Sequence, residues 1–166
     1  MPLARINTRR TRLRAFTPAD IDGVTELMTD ADVMRFTGFR EPQPEERIQE
    51  FLAKWCAAED APWGVWCVEE LGSGAFVGWS MLRPTTETDP ELGFMFLASQ
   101  WGRGFATEVS AALLDHAFRA LGSGRVIACV APEHDASIRV LKKVGMREIA
   151  VRDGVPSLLQ FEIVAT

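Results

Sequence analysis

Hydrophobic and polar positions along the chain change period several times, and each change marks an element. Arg12-Leu13-Arg14-Ala15-Phe16 alternates as a half-buried strand does, and Thr17-Pro18-Ala19-Asp20 reads as a turn and helix start. Ile21, Val24, Leu27 and Met28 then recur at helical spacing, Asp30 to Asp32 closes that stretch, and a loop runs from Gly38 to Pro44. A second helix is predicted from Pro44 to about Ala58, with Ile48, Phe51, Leu52 and Trp55 as its apolar stripe and Glu45, Glu46 and Glu50 towards its positive end. Two runs of period two, Trp63–Val68 and Ala75–Leu82, flank Leu71-Gly72-Ser73-Gly74 and predict a hairpin.

After a polar loop from Arg83 to Pro90, the nearly continuous apolar run Glu91–Leu97 suits a central strand. Phe105, Val109, Ala112, Leu113, Ala117, Phe118 and Leu121 mark a long helix ended by Gly122-Ser123-Gly124. Arg125–Val130 reads as a buried strand, Ala136–Val144 as a short helix stopped by Gly145, and the tail as a second hairpin turning around Asp153-Gly154. This order predicts an α+β fold, a mixed sheet of about seven strands with about four helices. No repeat or linker interrupts it, and a length of 166 residues suits one domain spanning 1–166.

Composition narrows the partners. With 47% hydrophobic and 25% charged residues the chain can bury a core, which excludes disorder and low-complexity architecture. A net charge of −5 speaks against a grip on nucleic acid built from overall basic charge and does not repel amines. The apolar runs fall short of the roughly 18 residues needed to cross a bilayer, so no membrane partner is expected. Cys56, Cys67 and Cys129 are odd in number, widely spaced and without a metal-ligand pattern; they suit packing in a reducing cytoplasm, and no metal is expected. Exposed strand edges leave a homodimer open.

The most informative segment is Trp101-Gly102-Arg103-Gly104-Phe105-Ala106-Thr107, which joins the central strand to the long helix. The first amides of a helix lack internal partners and point outward with the positive dipole end, and glycines let the backbone approach an anion closely. A phosphate or pyrophosphate is the natural ligand, with Arg103 either adding a charge-assisted contact or projecting into solvent. A ligand-free glycine turn has the same spacing. The spacing is not that of a dinucleotide fingerprint, and no Gly-Lys-Ser/Thr sequence occurs.

Here the sequence resembles the GNAT superfamily of acyl-CoA-dependent N-acyltransferases, in particular the branch of ribosomal-protein N-terminal (alanine/serine) acetyltransferases. Three segments carry the resemblance: Arg12-Leu13-Arg14 with Asp20 and Asp32-Val33-Met34-Arg35-Phe36, the turn Trp101–Glu108, and His134–Met146. It implies a mostly antiparallel sheet and acetyl-CoA as acyl donor. The backbone around Gly102, Arg103, Gly104, Phe105, Ala106 and Thr107 would hold the CoA pyrophosphate beside Trp101, and the strand through Phe94, Met95 and Phe96 would run along the pantetheine arm. His134, Ser137 and Arg139 belong to the late motif that meets the cofactor, although His134 stands where the family usually has Asn. The acceptor would be a primary amine, of a peptide N-terminus or a small molecule.

Acyl transfer to an amine needs the neutral amine, yet a lysine amine titrates near 10.4 and a terminal one near 8, so a base must take a proton near pH 7. By the resemblance Glu91 takes that role, often through water; otherwise it is a solvated strand-end residue. The departing thiolate needs only a weak acid. The chain contains no Tyr, the group many relatives use, and the resemblance puts Ser137 there, with His134 three residues before it. Ser137 reads equally as a helix-capping hydroxyl, and His134 as a solvated loop residue. Backbone amides near Phe94 and Met95 would polarise the carbonyl by the same resemblance. The five tryptophans line a pocket or pack in the core. The competing reading is a non-catalytic acyl-CoA-binding or regulatory module of the same fold.

Overall fold

Thr11 and Leu13 are buried while Arg12 and Arg14 are only partly covered, the alternation that a strand with one occupied face imposes. The computed structural model of the chain describes residues 2–57, 62–85, 89–152 and 157–166, the last three before 153 by their backbone alone. Its strands are β1 (Ile6–Asn7), β2 (Thr11–Arg14), β3 (Gly64–Glu70), β4 (Phe76–Pro84), β5 (Pro90–Phe96), β6 (Arg125–Val130), β7 (Arg147–Arg152) and β8 (Leu158–Val164). Its helices are α1 (Ile21–Thr29), α2 (Ala31–Met34), α3 (Glu45–Cys56), α4 (Phe105–Asp115) and α5 (Asp135–Lys143). The strands form one sheet in the order β1-β2-β3-β4-β5-β6-β8-β7. Every pair is antiparallel except β5 with β6. The fold is the mixed, mostly antiparallel α+β architecture expected, with eight strands and five helices among the described residues.

The additional elements are short ones that periodicity cannot register. β1 pairs only Ile6 with Leu13 and Asn7 with Arg12. α2 exists because Asp30 leaves α1 in an extended conformation and its carboxylate then accepts from the amides of Asp32 at 2.8 Å and Val33 at 3.4 Å. One aspartate thus closes a helix and caps the next, where the sequence suggested only a closure.

Other boundaries move for local reasons. β2 ends at Arg14, two residues before Phe16, as the Arg14 guanidinium grips both Asp20 oxygens at 2.8 and 2.9 Å and the chain turns. The long helix is α-helical only to Asp115 and finishes as a π-turn, His116–Ala120, in which the Leu121 amide bonds the His116 carbonyl. The turn expected at Asp153-Gly154 lies outside the described residues, as does Ala58.

The two faces of the sheet are covered by different helices. Beneath α4 and α5 lie Leu13, Trp66, Val68, Leu92 and Phe96 with Phe105, Val109 and Leu113, each side chain worth about 1.5–3 kcal/mol when fully buried. On the opposite face α1 and α3 pack Val24, Met28, Ile48 and Leu52 over Cys67, with Trp79 and Met95 at the margin. Trp66, fully buried, is a core residue whose indole N–H donates to the Ala4 carbonyl at 2.7 Å.

The parallel pair matters most for the site. β5 and β6 meet at Glu91 opposite Ile127, and no register follows towards Phe96. The strands part there, and each leads through a short connection into a helix, β5 by way of Leu97–Gly104 into α4 and β6 by way of Ala131–His134 into α5. Two helix N-termini therefore stand at the open end of one notch, the position where ligands bind at the carboxyl ends of parallel strands.

Candidate active site

At the α4 side of the notch the wall is backbone. Gly102 and Gly104 have φ of 72° and 82°, the left-handed region that other residues enter only at a cost. Gly104 is the N-cap of α4 and offers no side chain, so the amides of Phe105, Ala106 and Thr107 open the helix without a side-chain cap. The whole predicted anion cradle, Gly102 to Thr107, thus sits at a helix N-terminus. Trp101 is half-exposed, and its indole N–H donates to the Phe96 carbonyl at 2.9 Å, tying the turn to the end of β5. The exposed Arg103 guanidinium bonds Gln100 Oε1 at 2.6 Å and Glu70 Oε1 at 2.9 Å and lies 4.6 Å from the Phe105 ring.

The floor is β5. Leu92 and Phe96 turn under α4, with the Phe94 ring stacked on Phe96 at 6.0 Å, and Met95 faces Trp79 on the other side. Beyond Glu91 the edge of β5 towards β6 has no ladder partner among the described residues, so its backbone groups border the notch. Glu91 stands at the closed end, 8% exposed, with Arg83 Nη2 at 3.2 Å from Oε2 across the β4–β5 pair.

At the α5 side the wall is built from side chains. Ser137 is buried, and its hydroxyl lies 3.2 Å from His134 Nε2; it caps no backbone amide. The His134 ring stacks on Phe36 at 4.3 Å, nearly parallel at 9°, and the Arg35 guanidinium lies 4.5 Å from the same phenyl ring. Burial pushes the His134 pKa below its ordinary value; Glu133 and Asp135 pull it back up and Arg35 adds to the fall. At neutral pH the imidazole is therefore uncharged, one nitrogen donating and the other accepting. Arg139 is exposed on α5 two residues past Ser137. The structure brings His134 and Ser137 into contact but keeps Glu91 apart: β6 runs three residues beyond Ile127 before the turn, about 10 Å of strand.

Residues 10–147 match the model of the acetyltransferase (GNAT) domain family. The chain belongs to that family. It is 31% identical over 147 residues to the uncharacterized N-acetyltransferase YnaD of Bacillus subtilis, covering 86% of this chain and 82% of that one. A GNAT-family acetyltransferase structure from Bacillus anthracis superimposes with a TM-score of 0.87 at 26% identity, covering 97% and 98% of the two chains. The fold also matches, at a TM-score of 0.77, 19% identity and coverage of 93% and 95%, a Vibrio cholerae spermidine N-acetyltransferase solved with CoA and spermine.

In this GNAT domain neither Cys56 nor Cys67 is set up as a nucleophile: burial pushes the Cys67 thiol up to about 12 and raises that of Cys56. Among the described residues no cluster of His, Cys, Asp and Glu could hold a metal, and no helix is long and apolar enough to cross a membrane. Three residues at the site carried no role in the sequence reading. Phe36 reaches His134 from almost a hundred positions away, and Arg10 and Glu108 pair across a similar distance. Glu108 in the first turn of a helix reads simply as a partner for the dipole.

Proposed function

We propose that the chain is an acetyl-CoA-dependent N-acetyltransferase acting on a primary amine by direct attack within a ternary complex. The observation that carries this is the notch between β5 and β6, with an uncapped, glycine-built helix N-terminus at its mouth and an unpaired strand edge along its floor. The amides from Gly102 to Thr107 hold the pyrophosphate, with Trp101 and Arg103 flanking the turn. The β5 edge at Phe94, Met95 and Phe96 receives the pantetheine arm and turns amides to the thioester oxygen. His134 and Arg139 border the arm from α5.

Glu91 accepts the amine proton, directly or through water; Arg83 engages its Oε2, and Oε1 has no side-chain partner among the described residues. The amine nitrogen then attacks the carbonyl carbon, the C–S bond breaks as the tetrahedral intermediate collapses, and the second proton of the attacking nitrogen reaches the departing thiolate through the Ser137 hydroxyl, which gives its own proton to sulfur and takes that one in return. Separation of Glu91 from Ser137 along the notch fits groups acting on opposite sides of the reacting carbon. The sequence resemblance to ribosomal-protein acetyltransferases favours a peptide N-terminus as acceptor, and the spermidine enzyme of the same fold adds small amines to the panel to be tried. One domain over residues 1–166 in a reducing cytoplasm fits this role and the odd, widely spaced cysteines.

Melting the purified protein with saturating acetyl-CoA, CoA, ATP or NAD tests the donor. A ligand at about 100 times its Kd adds roughly 2.7 kcal/mol, a rise of about 5–10 °C for this size. A rise with the CoA forms alone is expected, followed by CoA release on an amine panel containing N-terminal peptides and polyamines. A protein that melts cooperatively without a rise overturns the assignment.

A further inference from the structure

The cofactor turn is also gripped from outside, by the hairpin β1–β2, which the mechanism above does not use. Glu108 Oε1 accepts from the Thr8 hydroxyl at 2.6 Å and from the Arg10 amide at 2.7 Å, and Oε2 accepts from Arg10 Nε at 2.7 Å. Arg10 Nη1 donates to the Arg103 carbonyl at 2.8 Å. The same guanidinium lies 4.6 Å from the Phe105 ring, and Nη2 sits 3.3 Å from where a Gly104 Cβ would stand. One side chain from the β1–β2 connection therefore touches residues 103, 105 and 108 and borders residue 104.

The bond to Arg103 has a directional consequence. The Arg103 carbonyl and the Gly104 N–H belong to one planar trans peptide, so they point in opposite directions. Holding the carbonyl towards Arg10 aims the Gly104 amide away from it, out of the turn. Gly104 on its C-terminal side, left-handed and without a β-carbon, leaves this peptide freer to rotate and present its carbonyl to an anion instead. Glu108 keeps Arg10 in place: burial favours its neutral form, but the hydrogen bonds from Thr8 and Arg10 outweigh it and hold the carboxyl below the usual carboxylate range. Two-fifths of the Arg10 side chain remains exposed, so the pair contributes little to global stability.

We infer that Arg10 is a positioning residue for donor recognition, which fixes the peptide between Arg103 and Gly104 so that the Gly104 amide faces the donor pyrophosphate, and that Thr8 and Glu108 hold Arg10 in register. The inference rests on acetyl-CoA being the donor. It makes the N-terminal hairpin part of the cofactor site and predicts that its loss is felt only by donors carrying the pyrophosphate.

The test compares acetyl-CoA with S-acetylpantetheine, which lacks the nucleotide and the pyrophosphate. Arg10→Gln lowers the kcat/KM ratio of acetyl-CoA to S-acetylpantetheine by about tenfold or more, chiefly through the KM for acetyl-CoA, and Arg10→Lys falls between, reaching carbonyl or carboxylate but not both. Equal losses on the two donors, or an unchanged ratio, overturn the inference. Amide NMR gives a readout without turnover. Inorganic pyrophosphate shifts the Gly104 N–H resonance in the wild type and leaves it in place in Arg10→Gln; equal shifts in both again overturn it. A wild type that binds neither acetyl-CoA nor pyrophosphate defeats the donor assignment instead, so the two failures are distinguishable. Should Arg10→Gln not fold, Glu108→Gln removes the Nε acceptor and undergoes the same measurements.

Discussion

α4 and α5 enter the same notch from neighbouring parallel strands, yet their first turns are made of different material. α4 opens on Gly104, with neither cap nor β-carbon, and presents bare amides; α5 opens on His134, which bonds Ser137 and rests on Phe36. A backbone wall suits a ligand recognised by charge and shape, whatever its chemistry elsewhere. A side-chain wall suits proton movement, which needs a titratable group at a fixed distance. The contrast teaches which residues should affect donor affinity and which should affect turnover.

Gly104→Val attacks the backbone wall most severely. It forces a β-branched residue to φ 82° beside Arg10, and CoA affinity measured by calorimetry should fall by about a hundredfold or more. Next in size, Ser137→Ala should lower kcat about a hundredfold while the Kd for CoA stays within about threefold. A large change in Kd with kcat preserved would invert the assignment of the two walls. Phe36→Leu removes the ring beneath His134 without touching either donor or acceptor groups directly, and a fall in kcat of about threefold to tenfold is expected.

The smallest effect is on pH-dependent stability. His134 has its folded pKa lowered, so between that value and its ordinary 6.5 the unfolded chain binds more protons. Stability is fully present above about 6.5 and declines as the pH falls through that window. Urea midpoints of the wild type should therefore drop on acidification more than those of His134→Asn; parallel curves would show that burial does not perturb this imidazole.

The two walls also differ in how far the sequence disclosed them. Gly102 and Gly104 are local signals: a left-handed requirement and a helix start follow from neighbouring residues, and the left-handed glycines and the start of α4 stand at the expected positions. The partners of His134 are not local. Phe36 lies beyond α2, a four-residue helix visible only through the caps of Asp30, and no periodicity links it to residue 134. Arg10 likewise carries no local signal of its contacts, which arise only because the sheet sets its hairpin against α4. The strand and helix order was legible because amphipathic periods fix it, whereas β1 and α2 are too short to show one, and the π-turn after Asp115 depends on hydrogen-bond register rather than on side-chain spacing.

β8 lies between β6 and β7 although it follows both in the chain. From β1 to β5 each strand pairs with its predecessor, so that half of the sheet can zip up in the order of synthesis. β6 and β7 must wait, their facing edges unpaired, until residues 158–164 slot between them. The α5 wall of the notch is therefore the last part of the molecule to be supported, and a ribosome-bound chain shorter than this would carry a finished anion cradle strand beside an unfinished half-sheet, with two strand edges open to mispairing.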